Sequence, residues 1–138
     1  MNERIIKKIL ELAAKRTLRQ RKFFEFTNGT NQSEWNISHH LANKINDILI
    51  KLKYDYDCDI EVIKSSFENK RPDIIFHRRG TTNNFLVIEV KRDDHDMLSD
   101  LNKIKYNWFS APLSYKFGAS IAIDDNKKVT VEVIKNNG

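Results

Sequence analysis

The sequence predicts an α/β protein in which helices flank a mixed sheet of about four to five strands, with an extra helix at the N-terminus. Two patterns support this class. Short apolar runs on either side of a polar loop at residues 78–84 are typical of an antiparallel β-hairpin. A helical pattern then separates the hairpin from another apolar run at residues 117–123, which predicts a right-handed parallel crossover.

Length and composition indicate one soluble domain that spans residues 1–138. The formal net charge of +5 favours a polyanionic partner such as nucleic acid. We expect no membrane partner, because no apolar run reaches membrane-spanning length and the first residues lack the apolar segment of a secretory leader. The single cysteine, Cys58, cannot form an internal disulfide, which suits a cytoplasmic location.

Residues 4–20 predict the first helix, and residues 1–30 are interpreted as a basic helical extension of the domain. The predicted buried stripe consists of Ile5, Ile6, Ile9, Leu12 and Ala13. The basic residues near its end are Lys15, Arg16, Arg19, Arg21 and Lys22. They either contact phosphate groups or form a solvated helix end that complements the helix dipole, and charge alone does not decide. A short buried segment is expected at Phe23, Phe24 and Phe26, before a turn at residues 28–30.

A second helix is predicted from about residue 33 to residue 53. Its expected buried stripe consists of Ile37, Leu41, Ile45, Ile48 and Leu52. Glu34 lies nearly two turns before Leu41 and therefore on the same inward stripe. It either completes a capping box with Asn31, or it directs a carboxylate towards a functional site. The adjacent His39 and His40 point about 100° apart, so neither is assigned a role.

Strand geometry predicts that acidic side chains meet in the hairpin, which follows a first core strand at residues 59–67. Side chains alternate along a strand, so Asp73 shares a face with His77, and Glu89 shares one with Lys91. Antiparallel register around the loop places Asp73 opposite Glu89 and His77 opposite Phe85. Two facing carboxylates repel each other, and burial adds a desolvation penalty. A divalent cation would compensate both costs.

The pair Pro72-Asp73, followed after fifteen residues by Glu89-Val90-Lys91, resembles the signature of the PD-(D/E)XK nuclease superfamily, whose fold is restriction-endonuclease-like. The resemblance implies a metal-dependent nuclease that hydrolyses phosphodiester bonds in nucleic acid, with DNA as the expected substrate. Asp73, Glu89 and the backbone carbonyl of Val90 would hold Mg²⁺ or Mn²⁺. Lys91 would orient or help deprotonate the attacking water, or stabilise the developing oxyanion. Glu34 matches the glutamate that the superfamily commonly places on the helix before its first core strand.

A less characterised subgroup of the superfamily resembles this chain at further positions. They are Glu61, Arg71-Pro72-Asp73, His77-Arg78-Arg79-Gly80 and Asp100-x-x-Lys103. Glu61, Asp100 and Lys103 are therefore additional candidate site residues, although Glu61 is more simply a surface glutamate. Arg78 and Arg79 join Arg16, Arg19, Arg21 and Lys22 as candidate nucleic-acid contacts.

Four polar residues after the hairpin, Asp93, Asp94, His95 and Asp96, invite a second metal site. We favour helix capping instead, because a helix begins directly after them. Its apolar positions are Met97, Leu101, Ile104 and Trp108. A breaker at residues 111–112, a strand at 117–123 and a final strand at 129–134 complete the predicted order.

A rival function belongs to another class: a nucleic-acid-binding or protein-interaction module that keeps the fold without turnover. The resemblance also leaves open a homodimer and a partner subunit that supplies specificity. The chain contains no recognisable second domain that reads sequence.

Overall fold

The computed structural model describes residues 1–20, 23, 34–60, 72–93 and 95–138, with the backbone alone at residues 34 and 35. Its elements are α1 (Glu3–Leu18), α2 (Glu34–Lys51), β1 (Asp57–Ile60), β2 (Ile74–His77), β3 (Asn84–Lys91), α3 (Met97–Trp108), β4 (Phe117–Ile123) and β5 (Val129–Lys135). Several predicted features lie outside the described residues: the segment at Phe24 and Phe26, the turn at residues 28–30, and the first core strand beyond Ile60.

The strands form one mixed sheet in the order β1-β2-β3-β4-β5. Only the pairing of β3 with β4 is parallel, while the other neighbouring pairs are antiparallel. The helix α3 connects the two parallel strands, as the crossover prediction required. The predicted α/β class, with helices flanking a mixed sheet and a helix at the N-terminus, is therefore confirmed.

The two faces of the sheet carry separate apolar cores. On one face, α1 and α2 pack against β-strand residues that include Ile74, Leu86 and Ile88. On the other face, α3 packs against Ile75 and Val87. Because side chains alternate along a strand, Glu89 and Lys91 share the α3 side with Val87. The sheet thus directs the polar end of the hairpin towards α3.

The hairpin has the predicted register over most of its length. Ile74 pairs with Ile88 and Ile75 pairs with Val87, which continues to Asp73 opposite Glu89. The prediction is wrong at His77, which pairs with Asn84 instead of Phe85 because the register shifts between Phe76 and His77.

The packing of Phe85 explains this one-residue shift. Phe85 leaves the face of Val87 and joins the opposite core, where its ring stacks on Tyr56 with centroids 4.5 Å apart. Burying a large aromatic ring outweighs the loss of regular pairing at the end of a short strand.

The buried stripe of each N-terminal helix differs by one or two positions from the prediction. In α1, Ile5 and Leu12 are 44% and 38% exposed, whereas Leu10 and Ala14 are fully buried. In α2, the helix ends at Lys51, so Leu52 follows it and is exposed. Among the described residues, none of the helices has both the length and the apolar character needed to span a membrane.

Candidate active site

The end of β3, the residue before β2 and the first half of α3 meet on one face of the sheet. Asp73 immediately precedes β2, and one of its carboxylate oxygens accepts the backbone N–H of Val90 at 2.6 Å. The Asp73 side chain also forms a hydrogen bond with Glu89. The structure therefore brings Asp73 and Glu89 together from two neighbouring strands, as the register predicted.

Glu89 is a half-buried carboxyl group whose pKa is raised to about 9. Burial is the largest cause, followed by the charge of Asp73, the hydrogen bond with Asp73 and the charge of Asp100, while Lys91 acts in the opposite direction. Without a bound cation, Glu89 accordingly keeps its proton at neutral pH and donates it to Asp73. A cation could replace this proton and neutralise the charges of both carboxylates.

Lys91 is oriented by a carboxylate of α3. Its ammonium lies 2.9 Å from Oδ1 of Asp100, which is only 3% exposed. The other oxygen, Oδ2 of Asp100, is buried and has no hydrogen-bond partner within the described part of the chain. Asp100, a candidate from resemblance alone, thus lies within the site and holds Lys91 in place.

A cleft of about 180 Å³ opens beside these groups. Its lining residues are Glu89, Lys91, Asp100, Lys103, Asn107 and Trp108. Ser120 of β4 is the strand partner of Glu89, and its buried hydroxyl oxygen also lacks a hydrogen-bond partner among the described residues. Carboxylates and ammonium groups therefore meet here, next to the hydroxyl group of Ser120.

Gly118 on β4 allows α3 to approach the sheet closely enough to form the cleft. A Cβ atom at this position would lie 2.4 Å from Cγ2 of Ile104 and 3.3 Å from the ring of Phe109. Ile104 is fully buried between the helix and the sheet. A larger residue at position 118 would push α3 outward, and with it Asp100.

The donor set suits a hard divalent cation. Asp73 and Glu89 offer carboxylate oxygens, the ligand type that Mg²⁺ and Mn²⁺ prefer. Among the described residues, however, no group of three or more His, Cys, Asp or Glu side chains is arranged to hold a metal. The side chain of Glu34 and the whole of Glu61 lie outside the described residues.

The arginines of the hairpin loop do not line the cleft. Asp73 precedes β2 and Arg79 follows its other end, so the two residues are separated by the length of the strand, at most roughly 20 Å. Arg79 instead forms an ion pair with Asp59 through contacts of 2.9 Å and 2.6 Å. Arg78 lies over the ring of Tyr56, 5.1 Å from its centroid.

A second polar cluster therefore surrounds Asp59 at the other end of the sheet. His77 Nε2 is 2.6 Å from Asp59 Oδ2. The hydrogen bond from Arg79 is the largest cause that lowers the pKa of Asp59, to about 2, assisted by His77 and opposed by burial. This network ties β1 to the hairpin loop.

The basic end of α1 lies away from the cleft. Arg16 is half-buried and Arg19 is exposed, and α1 packs on the face of the sheet opposite α3. The other two basic candidates, Arg21 and Lys22, lie outside the described residues. A nucleic acid that reached the carboxylates would contact α3 before it reached α1.

Helix capping was predicted for the aspartates before α3, and the structure confirms the N-cap position of Asp96 but shows no capping hydrogen bond from its side chain. Asp96 occupies the N-cap position, but its left-handed backbone, with φ of 60°, leaves its side chain without a capping hydrogen bond. Asp93 accepts the backbone N–H of His95 at 3.0 Å, which is a local turn. Asp94 lies outside the described residues.

Sequence reasoning missed two residues that line the cleft, Asn107 and Trp108, and one residue on the neighbouring strand, Ser120. Ser120 carried a usable signal, because it is a hydroxyl within the otherwise apolar run from Phe117 to Ile123. Asn107 follows Lys103 by four residues, so the two side chains share one side of α3. Neither Ser120 nor Asn107 could be assigned to the site without knowing which side of α3 faces Glu89.

Comparisons with known proteins add little. No protein-family model matches the chain, and no curated protein matches it. A solved structure described as the crystal structure of SSO0001 is similar over 96% of this chain and 77% of that chain, with 17% sequence identity and a TM-score of 0.35. A TM-score this low supports no conclusion about a shared fold or function.

Proposed function

We propose that this protein is a metal-dependent nuclease of the PD-(D/E)XK superfamily that hydrolyses phosphodiester bonds in nucleic acid, with DNA as the expected substrate. One observation carries the proposal: the carboxyl groups of Asp73 and Glu89 meet in a hydrogen bond at a half-buried position, on the face of the sheet that also carries Lys91. Two adjacent carboxyl groups removed from water cost stability when both are ionised, and a fold keeps them most readily where a ligand supplies the compensating charge.

Asp73 and Glu89 would hold Mg²⁺ or Mn²⁺. The N–H of Val90 fixes one oxygen of Asp73, so the other oxygen has a defined direction. The bound cation would supply a water of lowered pKa and neutralise negative charge on the scissile phosphate. The carbonyl of Val90 and the carboxylate of Glu34 would complete the ligand set.

Lys91 and Lys103 would receive the phosphate backbone. Asp100 holds the ammonium of Lys91 at the inner end of the cleft, where it can neutralise an oxyanion or orient water. Lys103 lines the same cleft and is exposed, so it is suited to a neighbouring phosphate. The net charge of +5 supports attraction of a polyanion. A cytoplasmic location, and a homodimer or partner subunit that provides specificity, belong to the same proposal.

The experiment incubates the purified chain with single-stranded, duplex and junction DNA and with RNA, in Mg²⁺ or Mn²⁺. Asp73→Asn is the sharpest variant, because its amide oxygen can still accept the Val90 N–H while the charge is lost. Glu11→Gln on α1, on the opposite face of the sheet, is the matched control. We expect cleavage that stops with chelator and with Asp73→Asn but survives in Glu11→Gln. Full activity of Asp73→Asn would refute the assignment.

A second candidate is a nucleic-acid-binding or protein-interaction module without turnover. The contact of Lys91 with Asp100 favours it, because an ammonium engaged by a buried carboxylate is less available to a substrate. Calorimetric titration with Mn²⁺ separates the two candidates. A nuclease should bind the ion in a manner that depends on Asp73, whereas a pure interaction module has no reason to bind it.

A further inference from the structure

We propose that the outward face of α3 next to the cleft is a binding subsite for unpaired nucleotides, in which Tyr106 stacks on a base while Lys103 contacts the adjacent phosphate. The inference rests on the proposed nuclease function and narrows its substrate to strands that contain unpaired bases. It concerns a residue that the chemistry of the carboxylates does not use.

Tyr106 is the most exposed large hydrophobic residue in the described part of the chain, with 77% of its surface accessible. Its neighbours on the helix, Ile104 and Trp108, are buried, so the ring of Tyr106 points away from the core. Tyrosine is only a moderate helix former, and an exposed ring contributes little to folding. The ring is therefore accessible to a ligand with an apolar, flat surface.

The helix places this ring at the edge of the cleft. Lys103 lines the cleft, and Tyr106 follows it by three residues, about 60° around the helix and one turn along it. Side chains at this spacing are neighbours, with Cβ atoms about 5–6 Å apart. Helical side chains also lean towards the N-terminus, which carries the ring of Tyr106 back over the turn that holds Lys103.

The charges on this face match a nucleic acid. The only acidic residue of α3, Asp100, is buried and paired with Lys91, so the exposed charged groups of the helix are Lys103 and Lys105. The exposed Asp96 lies about 15 Å further along the helix axis from Tyr106. A cationic surface around an exposed aromatic ring is the arrangement by which proteins hold single strands.

Stacking on Tyr106 requires a base with an open face. Within a duplex, both faces of each base are covered by its neighbours, so an exposed ring can reach only an end, a gap, a bulge or a single strand. The subsite therefore selects unpaired nucleotides.

The other exposed apolar residue of α3 argues against a protein-docking surface. Leu98 is 71% exposed, but it lies about 140° around the helix from Lys103. Leu98 and Tyr106 are eight residues apart, about 12 Å along the helix axis and about 80° around it, so they do not form one apolar patch. Leu98 thus serves as a matched control, since it is similarly exposed on the same helix but away from the proposed subsite.

The test measures binding in the presence of chelator, so that it is independent of cleavage. The probes are a short fluorescently labelled DNA single strand and the same strand annealed to its complement, titrated with the full chain and followed by anisotropy. The variants are Tyr106→Ala, Tyr106→Phe and Leu98→Ala. All three changes are at exposed positions, and circular dichroism verifies that each variant is folded.

We expect Tyr106→Ala to weaken binding of the single strand about 5- to 100-fold, the range for loss of one base–aromatic stack. Tyr106→Phe should bind within about twofold of the original protein, because it keeps the ring. Leu98→Ala should bind unchanged, and binding of the duplex should change much less in every variant.

Several outcomes overturn the inference: unchanged binding by Tyr106→Ala, an equal loss in Leu98→Ala, an equal loss with the duplex, or no binding of DNA by the original protein. Self-association that depends on Tyr106, measured by sedimentation, would assign the face to a second copy of the chain and would overturn it too. Failure of the nuclease proposal is read separately, from Mn²⁺ binding and cleavage by Asp73→Asn.

Discussion

At the scale of single residues, the shared proton of Asp73 and Glu89 has a measurable effect on stability. Glu89 has a pKa of about 9 when folded and an ordinary value near 4.5 when unfolded. Between these values the folded protein binds more protons than the unfolded chain, so the free energy of unfolding falls as pH rises. The metal-free protein should therefore lose stability from mildly acidic towards alkaline pH.

Glu89→Gln removes this pH dependence, because the amide has a similar shape and does not ionise. We expect the variant to be more stable than the original protein at pH 8, by on the order of 2 kcal/mol, and nearly equal to it at pH 5. Urea unfolding at the two pH values measures the difference. Glu11→Gln is the control and should leave the slope unchanged. Parallel stability curves for the original protein and Glu89→Gln would contradict the shared proton.

Asp100 is a positioning residue for Lys91, and its charge also raises the pKa of Glu89. We expect Asp100→Asn to lower cleavage about 10- to 100-fold, as for other groups that orient a ligand or catalytic side chain. The pKa of Glu89 should fall towards its ordinary range, so the pH at which Mn²⁺ binds should also fall. The cleavage rate and the pH dependence of Mn²⁺ binding measure the two effects.

The exposed aspartate of α2 provides the comparison for this variant. Asp47→Asn should retain both activity and the pH dependence of Mn²⁺ binding, since Asp47 contacts neither group. If Asp100→Asn left the pH dependence unchanged while reducing the rate, its effect would be structural only.

At the scale of secondary-structure elements, the distance of α3 from the sheet determines the site. Gly118 leaves no room for a Cβ atom beneath Ile104. We expect Gly118→Ala to lower stability by about 1–3 kcal/mol, the usual cost of overpacking, and to weaken Mn²⁺ binding as Asp100 moves outward. Urea unfolding and calorimetry measure the two changes.

The double variant Gly118→Ala/Ile104→Leu tests the cause, because leucine lacks the Cγ2 atom that the new methyl group would meet. It should lose less stability than the sum of the two single variants. Simple additivity would show that the contact with Ile104 does not limit the position of α3.

Sequence reasoning succeeded where local pattern determines structure. The alternation of apolar residues around a loop with one glycine and two asparagines was sufficient to place Asp73 opposite Glu89. It failed at Phe85 because the register shift depends on the burial of that ring against Tyr56, which lies far away in sequence. It could not locate Asp100 against Lys91 from pattern alone, because the rotation of α3 depends on the close approach at Gly118.

At the scale of the whole molecule, the pKa values of Asp59 and Glu89 predict how pH and a bound cation together affect the stability of the fold. Asp59, with its pKa lowered to about 2, stabilises the fold above pH 4, and this contribution is lost as pH falls through 2. Glu89 destabilises the metal-free fold at alkaline pH. Stability without metal should therefore be greatest in mildly acidic solution.

Mn²⁺ should restore stability on the alkaline side, because it binds the pair only after Glu89 releases its proton. We expect a larger rise in melting temperature on addition of Mn²⁺ at pH 8.5 than at pH 6, and close to one proton released per ion at neutral pH. Calorimetry in two buffers of different ionisation enthalpy counts the proton. Absence of proton release would mean that the ion binds elsewhere or not at all.

The parallel pairing of β3 with β4 also has a consequence for the order of assembly. All six residues that line the cleft fall between positions 89 and 108, but the strand that carries Gly118 and Ser120 comes later in the chain. Until β4 inserts between β3 and β5, α3 can pack only against β2 and β3 and lacks the part of its docking surface that β4 supplies. Glu89 then remains hydrated and ionises as an ordinary glutamate. During biosynthesis, the capacity to capture a cation would therefore be complete only when β4 and β5, residues 117–135, have emerged and joined the sheet.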